Sequence, residues 1–388
     1  MKTKIFFLLL TVTLLATTIN IDAIPAFARK YNMSCQTCHS PFPKLKAYGD
    51  TFAGNGFVLA DKDAPRYFVE TGDPELSLIR DLPLAIKLEG YATYNNKNSD
   101  QGDFTAPYNL KLMSGGSIAK DISYYFYFFF SERGEVAGIE DAFIMFNDVL
   151  PEFDIYIGQF QVSDPLFKRE LRLTFEDYQI YKPRLGYSQI DLTYDRGIML
   201  TYTFPFGPDL VFEVLNGSGI GGANNFRNFD NDNYKNFVLR ASHDFNDNIR
   251  LGVFGYYGKE KLEDDLARNF TNEVTYIGPD LTLSYEDKLE INFQYLMRND
   301  KQSFYKTNDI KTKGGFAELI YSPDGDQSKY YFAGIYNFVE SDIKALDYKS
   351  IAVSAGYLVR RNVRFMGEFG YDIEKKFSQL TAGVITAY

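Results

Sequence analysis

The feature of the sequence that most constrains the fold is an alternation of apolar and polar residues that recurs from residue 82 to the end of the chain. In one such stretch, Ile291 and Phe293 alternate with Asn292 and Gln294. Side chains of a β-strand point alternately to two faces, so this period predicts strands with one apolar and one polar face. The segments are about ten residues long, as in strands that cross an outer membrane. The pattern therefore predicts an all-β fold, an outer-membrane antiparallel β-barrel.

We count sixteen such segments, and an even number is expected of a single-chain bacterial barrel. Their predicted cores are residues 83–94, 106–114, 121–131, 139–147, 152–160, 190–202, 209–216, 236–243, 249–258, 272–285, 289–298, 314–321, 330–338, 348–359, 363–372 and 377–388. Long loops are predicted at 95–105, 161–189, 217–235, 259–271 and 299–313, in alternation with short turns. Because short turns face the periplasm in such barrels, both ends of the barrel are expected at the periplasmic rim. A soluble β-sandwich is the alternative, but sandwiches rarely reach about 300 residues in one domain.

The first 23 residues have the three parts of a secretory signal peptide. Lys2 and Lys4 precede an apolar run over residues 5–16, and small and polar residues follow up to Ala23. The run is too short for a membrane-spanning helix, which needs about 20 apolar residues. We predict export with cleavage after Ala23, and the A-x-A sequence at residues 26–28 is the alternative cleavage site.

One short motif carries specific chemistry. Cys35, Cys38 and His39 form a C-x-x-C-H sequence, the attachment pattern of a c-type haem. Two thiols at this spacing reach the two vinyl groups of one porphyrin edge, and the adjacent histidine lies under the iron. A local disulfide and a thioredoxin-like redox pair are the alternatives, but the redox pair needs a βαβ context that this pattern lacks. We therefore predict one covalent haem c on the two cysteines, with His39 as the proximal axial ligand of the iron.

The predicted organisation is a signal peptide at 1–23, a monohaem cytochrome c segment at 24–81 and a β-barrel at 82–388. So short a haem segment buries a haem poorly by itself, so we expect it to plug the barrel lumen against the aromatic strand at 121–131. A methionine as distal ligand would raise the haem potential. The candidates on the predicted lumen face are Met113, Met145, Met199 and Met366. Each is also an ordinary filler of gaps between side chains, so the distal ligand stays open.

Charge and composition exclude other classes of protein. The chain has 41 Lys and Arg against 51 Asp and Glu, a net charge of -10. Nucleic-acid binding needs a basic surface, so no nucleic-acid partner is expected. No apolar run after the signal approaches 20 residues, which argues against a helical membrane protein. Two cysteines and two histidines in all are too few for a cluster of His and Cys metal ligands.

The N-terminal sequence resembles a known family. The resemblance lies in residues 25–39 around the C-x-x-C-H motif, followed by Phe42-Pro43-Lys44-Leu45, Tyr48-Gly49, Phe52 and Asn55-Gly56-Phe57. These residues resemble the outer-membrane monohaem cytochrome–porin fusions of iron-oxidising bacteria. The resemblance implies a barrel of about 16 strands in outer-membrane lipid, and electron transfer from extracellular Fe(II) to a periplasmic carrier such as a soluble c-type cytochrome. Only Cys35, Cys38 and His39 carry over as functional residues.

Three functions stay open on this evidence. The first is electron transfer, for which the enzyme class would be an Fe(II):cytochrome c oxidoreductase. The second is a diffusion porin with an accessory haem segment, and the third is a peroxidase, for which only His243 is left as a distal histidine. In the loop at 161–189, the candidate contacts for a metal donor at the outer mouth are Asp164, Glu170, Glu176 and Asp177. Acidic residues in a loop are more commonly just exposed to solvent, without a binding role.

Overall fold

The structure is a computed structural model, and it describes residues 26–59, 68–69, 71–73, 75–80, 82–97, 101–230 and 232–388. The predicted signal peptide at 1–23 lies outside the described residues. None of the described helices is long and apolar enough to cross a membrane.

Sixteen antiparallel strands form one closed barrel in which each strand pairs with its neighbours in the sequence and β1 pairs with β16. The strands are β1 (Leu84–Asn95), β2 (Gln101–Ala119), β3 (Ile122–Glu132), β4 (Gly138–Leu150), β5 (Phe153–Gln161), β6 (Tyr194–Thr203), β7 (Asp209–Leu215), β8 (Asn236–Asn246), β9 (Ile249–Glu263), β10 (Asn269–Tyr285), β11 (Leu289–Asp300), β12 (Ile310–Tyr321), β13 (Tyr330–Ser341), β14 (Tyr348–Arg360), β15 (Val363–Asp372) and β16 (Phe377–Ala387). Closure leaves no strand edge unpaired. The predicted all-β fold of sixteen antiparallel strands is confirmed.

The two faces of the strands follow the alternation in the sequence. On β14, Ser350 and Ser354 are buried inside the barrel, whereas Ile351 and Val353 are about half exposed on its outer surface. The same apolar exposure recurs around the outer wall, for example at Ile144, Ile157, Ile198, Leu239, Val253, Ile277, Leu319, Phe332, Phe365 and Leu380. An exterior of this kind is stable only in lipid, and a closed barrel satisfies its backbone hydrogen bonds there.

The loops at one end of the barrel, which connect odd-numbered strands to the next strand, differ from the predicted pattern. Two loops predicted to be long, at 95–105 and 259–271, are short, because β2, β9 and β10 extend further than their predicted cores. Alternating polar residues continue through these strand ends, so the hydrogen-bonded ladder extends with them. The long connections are residues 162–193 and 216–235.

Residues 162–193, which we call the inner segment, fold into the barrel. Their buried apolar side chains are Val162, Leu173, Ile180, Leu185, Ile190 and Leu192, with the rings of Tyr178 and Tyr181. Most of them join one apolar cluster with inward side chains of the barrel wall, such as Met145 and Phe316. The predicted start of the sixth strand at residue 190 was wrong, because Ile190 and Leu192 pack in this cluster and β6 begins at Tyr194.

The described part of the N-terminus is compactly folded. It contains α1 (Ala26–Tyr31), a 3-10 turn (Cys35–Thr37) and α2 (Ala47–Gly54). The ring of Phe52 packs edge-on against Phe27 at 5.4 Å and Tyr31 at 5.6 Å, and Phe57 stacks on Phe27 at 4.7 Å. These aromatic contacts hold the two helices together. We call residues 26–59 the N-terminal segment.

Candidate functional site

The C-x-x-C-H motif lies on one tight turn. The hydroxyl oxygen of Ser34 accepts a hydrogen bond from the backbone N–H of Gln36, which caps the start of the turn. The backbone N–H groups of Cys38 and His39 both donate to the carbonyl oxygen of Cys35, at 3.2 and 2.9 Å. Both cysteines are free thiols. The turn therefore presents two thiols and an imidazole together, as covalent attachment of a c-type haem requires.

The imidazole of His39 is oriented for metal binding. Its Nδ1 lies 2.8 Å from the carbonyl oxygen of Pro43, and a carbonyl can only accept, so Nδ1 carries the proton. Nε2 then keeps its lone pair. Burial lowers the pKa of His39 and favours the neutral imidazole, which is the form that binds iron. The donor set fits a c-type haem, which Cys35, Cys38 and His39 would hold.

Helix α2 and the residue that precedes it contact the turn that carries the C-x-x-C-H motif. The backbone N–H of Lys46 donates to the carbonyl oxygen of Cys38 at 2.8 Å. Gly49 approaches this carbonyl so closely that a Cβ at residue 49 would overlap its oxygen. At Gly54, at the end of the same helix, a Cβ would meet nothing within 4 Å. The position of the motif therefore depends on a glycine at residue 49.

Polar contacts join the N-terminal segment to the barrel near the ends of β11 and β15. Lys44 pairs with Glu290 at 2.6 Å, and Lys46 pairs with Asp326. Arg364 donates from Nη1 to the carbonyl oxygen of Phe42 at 3.2 Å. These contacts lie at the end of the barrel where β1 begins and β16 ends.

A second set of contacts joins the segment to the aromatic strand β3 and its neighbour. The ring of Phe57 stacks on Tyr125 at 5.2 Å. Asn147 donates from Nδ2 to the carbonyl oxygen of Gly54 at 3.0 Å. Gly56 lies so close to Ser123 that a Cβ there would overlap its hydroxyl oxygen.

A cavity of about 1460 Å³ separates the motif from the barrel wall. It is bordered by Cys35, Cys38 and His39 on one side and, on the wall, by three of the four candidate methionines, Met113, Met145 and Met199. Met366 lies instead in a small buried cluster with Phe42 and Tyr91. All four methionines point into the barrel, and the identity of the distal ligand stays a prediction. His243 is not among the residues that border the cavity, and its ring packs on Phe245 at 4.9 Å.

Two of the four carboxylates predicted as outer contacts for a metal donor, Glu170 and Asp177, are paired with cations, and the role of the four as outer contacts stays a prediction. The apolar side chains of the segment draw it into the barrel, where Glu170 pairs with Lys111 at 3.2 Å. Glu176 accepts hydrogen bonds from Tyr348 at 2.8 Å and from neighbouring side chains. Asp164 borders the cavity.

Asp177 is the centre of a buried ion cluster in the inner segment. Its carboxylate lies 2.6 Å from Arg169, 3.5 Å from Arg172 and 2.5 Å from Lys182. Burial alone would raise the pKa of Asp177, but the three cations hold it well below its usual range. This cluster ties the two halves of the segment together.

The barrel wall holds the inner segment in place at two further points. Arg298 pairs with Asp300 at 2.6 Å and donates from Nη1 to the carbonyl oxygens of Pro183 and Ile190. On β15, the carboxylate of Glu368 accepts from the backbone N–H groups of residues 175 and 176 at 2.6 and 2.9 Å. The inner segment is thus bonded to β11 and to β15.

Sequence reasoning missed two residues of the cavity wall, Asp141 and Lys111. Asp141 is inward on β4 and shares its odd parity with Phe143 and Met145, which was the signal that could have found it. The ammonium of Lys111 lies 3.3 Å from the ring centre of Tyr127. Within the described ranges, no group of three or more His, Cys, Asp or Glu side chains is arranged to hold a metal ion.

Comparisons with known proteins match the barrel. An anion-selective porin from Comamonas acidovorans is 11% identical with a TM-score of 0.57, over 79% of this chain and 99% of the porin. The outer-membrane channel DcaP of Acinetobacter baumannii is 11% identical with a TM-score of 0.56, over 79% of this chain and 97% of the channel. OprB of Pseudomonas putida is 11% identical with a TM-score of 0.54, over 79% of this chain and 94% of OprB.

Sequence comparisons add little to the structural likeness. The family model described as "Putative MetA-pathway of phenol degradation" matches residues 180–312, about a third of the chain. No curated protein matches the sequence at a significant level. The structural neighbours, the closed barrel and its apolar exterior agree, and the chain is an outer-membrane protein with a porin-like barrel of sixteen strands.

Proposed function

We propose that this protein transfers electrons across the outer membrane through one covalent haem c carried by the N-terminal segment, which plugs the periplasmic mouth of the barrel. The donor would be extracellular, with Fe(II) as the first candidate. The acceptor would be a periplasmic carrier such as a soluble c-type cytochrome. The observation that carries the proposal is that the C-x-x-C-H motif borders the same cavity as three inward methionines.

The residues around the motif have distinct roles in this proposal. Cys35 and Cys38 would form the two thioether bonds, and Nε2 of His39 would bind the iron. Bound haem iron exchanges single electrons, and its potential depends on its axial ligands and on its exposure to water. Phe42, whose ring centre lies 5.3 Å from that of His39, and Phe143 on the barrel wall cover apolar parts of the cavity. They would keep water from the site.

The charge of the cavity mouth supports a basic acceptor. Acidic residues in or beside the periplasmic turns that border the cavity include Asp148, Glu152, Asp244, Asp247 and Asp287, and they outnumber the basic residues there, Arg250 and Lys288. An acidic rim attracts a positively charged partner and speeds its association at low salt. A basic carrier is therefore the expected partner.

A second candidate function is solute diffusion, with the haem segment as an accessory. The structural comparisons favour this candidate more directly, since two of the similar proteins named above are described as an anion-selective porin and as an outer-membrane channel. The inner segment occupies space inside this barrel, which opposes free flux, and a plug formed by the N-terminal segment would narrow the passage further. The two candidates therefore predict opposite results for electron transfer and for solute flux.

The test uses the purified protein in oriented lipid vesicles. Stopped-flow absorbance would follow reduction of the oxidised haem after Fe(II) is added outside, and vesicle swelling would measure the flux of small sugars. We expect rapid reduction and little swelling. A Cys35→Ala, Cys38→Ala variant provides the control, because it should lose covalent haem and retain the barrel.

The result that rejects electron transfer is clear. If external Fe(II) leaves the haem oxidised while sugars pass freely, the diffusion porin is the better description. If the double cysteine variant keeps its covalent haem, the assignment of the attachment site is wrong.

A further inference from the structure

We propose that Tyr127 on β3 and Tyr194 on β6 form a redox-active tyrosine pair inside the barrel, with Glu140 on β4 as its base. The pair would supply electrons when a peroxide oxidises the haem beyond Fe(III), and would so return the iron to Fe(III). This inference rests on the haem of the proposed function and adds a second reaction to it.

The two phenols and the carboxylate share one chain of hydrogen bonds. The hydroxyl oxygens of Tyr127 and Tyr194 are 2.5 Å apart, and the hydroxyl of Tyr127 donates to Oε2 of Glu140 at 3.2 Å. Since Tyr127 gives its single O–H to the carboxylate, Tyr194 is the donor in the contact between the two phenols. Tyr127 is 1% exposed and Tyr194 is 6% exposed, so the chain is shielded from bulk water.

The carboxylate of Glu140 makes the oxidation of Tyr127 chemically accessible. A phenol gives up an electron readily only if its proton leaves as well, and a carboxylate bonded to the hydroxyl can take that proton. The ammonium of Lys111 lies 3.3 Å from the ring centre of Tyr127, and its charge opposes a positively charged ring. The neutral radical that remains after proton transfer to Glu140 avoids this repulsion.

The pair extends from the cavity that the C-x-x-C-H motif borders. Tyr125 and Tyr127 border the same cavity. The ring centre of Tyr125 lies 6.0 Å from that of Tyr127, and it stacks at 5.2 Å on Phe57 of the N-terminal segment. Tyr194 begins β6 and packs with Ile220, in the connection between β7 and β8. A radical passed from Tyr127 to Tyr194 would therefore move away from the cavity, towards the opposite end of the barrel.

The atoms, protons and electrons of this reaction balance. Tyr127 first gives one electron to the peroxide-oxidised haem and its phenolic proton to Glu140. Tyr194 then gives a hydrogen atom to the Tyr127 radical, which breaks the O–H bond of Tyr194 and re-forms that of Tyr127. Tyr127 supplies the second electron after Glu140 has released its proton to water. In sum, one H₂O₂ and two phenols give two water molecules and two phenoxyl radicals.

A third tyrosine provides a matched control. Tyr156 on β5 is buried and borders the same cavity, but its hydroxyl makes no hydrogen bond within the described part of the chain. Without a base to take its proton, Tyr156 should not form the radical. The comparison of Tyr127 with Tyr156 therefore separates the effect of the base from the effect of lying beside the cavity.

The test follows tyrosyl radicals by freeze-quench electron paramagnetic resonance after the haem-loaded protein in detergent is mixed with H₂O₂. We expect a tyrosyl signal in the wild type and a signal at least about tenfold weaker in Tyr127→Phe and in Glu140→Gln, because both variants remove proton transfer to the base. Tyr194→Phe should keep a signal with a changed hyperfine pattern, since the radical then stays on Tyr127. Tyr156→Phe should give the wild-type signal.

Two outcomes overturn the inference. They are the absence of a tyrosyl signal in the haem-loaded wild type, and a signal of wild-type strength in Tyr127→Phe. If that variant does not assemble, Glu140→Gln decides, because it leaves both rings in place, and an unchanged signal there rejects the pair. Failure of the proposed function looks different, because the Tyr127-dependent radical would then form while external Fe(II) leaves the haem oxidised. Conversely, normal reduction by Fe(II) without such a radical would reject only the tyrosine pair.

Discussion

The ion cluster at Asp177 provides the sharpest test of the inner segment. The change is Asp177→Asn, which keeps the shape of the side chain and removes the anion among Arg169, Arg172 and Lys182. Three cations would then share a largely buried site with no counter-charge. We expect the inner segment to leave the lumen much more often, while the barrel stays intact because its strand ladder does not involve residue 177.

The size of the effect follows from the burial of the cluster. The side chain of Asp177 is 5% exposed, so surface screening reduces the effect little. Removing one partner of a buried ion pair costs about 3–5 kcal/mol. Since about 1.4 kcal/mol is a factor of ten, the population with a displaced segment should rise roughly 100-fold to 4,000-fold.

Limited proteolysis of the solubilised barrel measures this population. Trypsin cuts after Arg169 and Arg172 only when the segment is displaced, and its rate follows the open population while reclosing is fast. Single-channel conductance in planar bilayers should rise in parallel. The control is Asp309→Asn, an exposed acid in the loop between β11 and β12.

A tryptic rate in the Asp177 variant within a few-fold of the wild type would refute the reasoning. The effect of pH provides a second check. The pKa of Asp177 is depressed in the folded protein, so its contribution is present above the ordinary pKa of about 4 and is lost only as pH falls further. The difference between wild type and variant should therefore be constant from about pH 5 to about pH 8 and shrink in stronger acid.

Three other predictions follow from single contacts. Gly49→Ala should lower the yield of covalent haem, because a Cβ would displace the carbonyl of Cys38, whereas Gly54→Ala on the same helix should not; haem stain of purified protein measures both. Arg298→Met should leave Asp300 unpaired and raise tryptic cleavage of the inner segment by about two powers of ten or more, and wild-type rates would contradict it. If a lumen methionine is the distal ligand, one Met→Leu variant should abolish the absorption band of the Met–iron bond, and retention in all four would exclude it.

Patterns among neighbouring residues were sufficient to predict the strands and to recognise the C-x-x-C-H motif. In each strand, alternate side chains face lipid and lumen. The alternation of apolar and polar residues can therefore be recognised within the strand itself. All sixteen strands could therefore be predicted, and only the ends of β2, β6, β9, β10 and β12 differ by more than a few residues or change a loop. Cys35, Cys38 and His39 could be named because adjacent positions in one turn contain the complete donor set.

Tertiary structure decided whether the inner segment folds into the barrel or extends away from it. Its apolar residues have no strand period, and whether they meet water or the lumen depends on inward side chains such as Met145 and Phe316, far away in the sequence. The charges of Glu170 and Asp177 suggested an exposed loop, but each finds a cation within the barrel.

The sequence by itself determined a sixteen-strand barrel and a turn with the donor set of a c-type haem, because both are encoded by neighbouring residues. Only the tertiary structure decided which side chains surround the cavity. Asp141 and Asp164 belong to a strand and to a connection, and both border this cavity because the barrel closes and the inner segment is buried in it. Which side chains border the cavity depends on packing between distant parts of the chain, and no local sequence pattern encodes that packing.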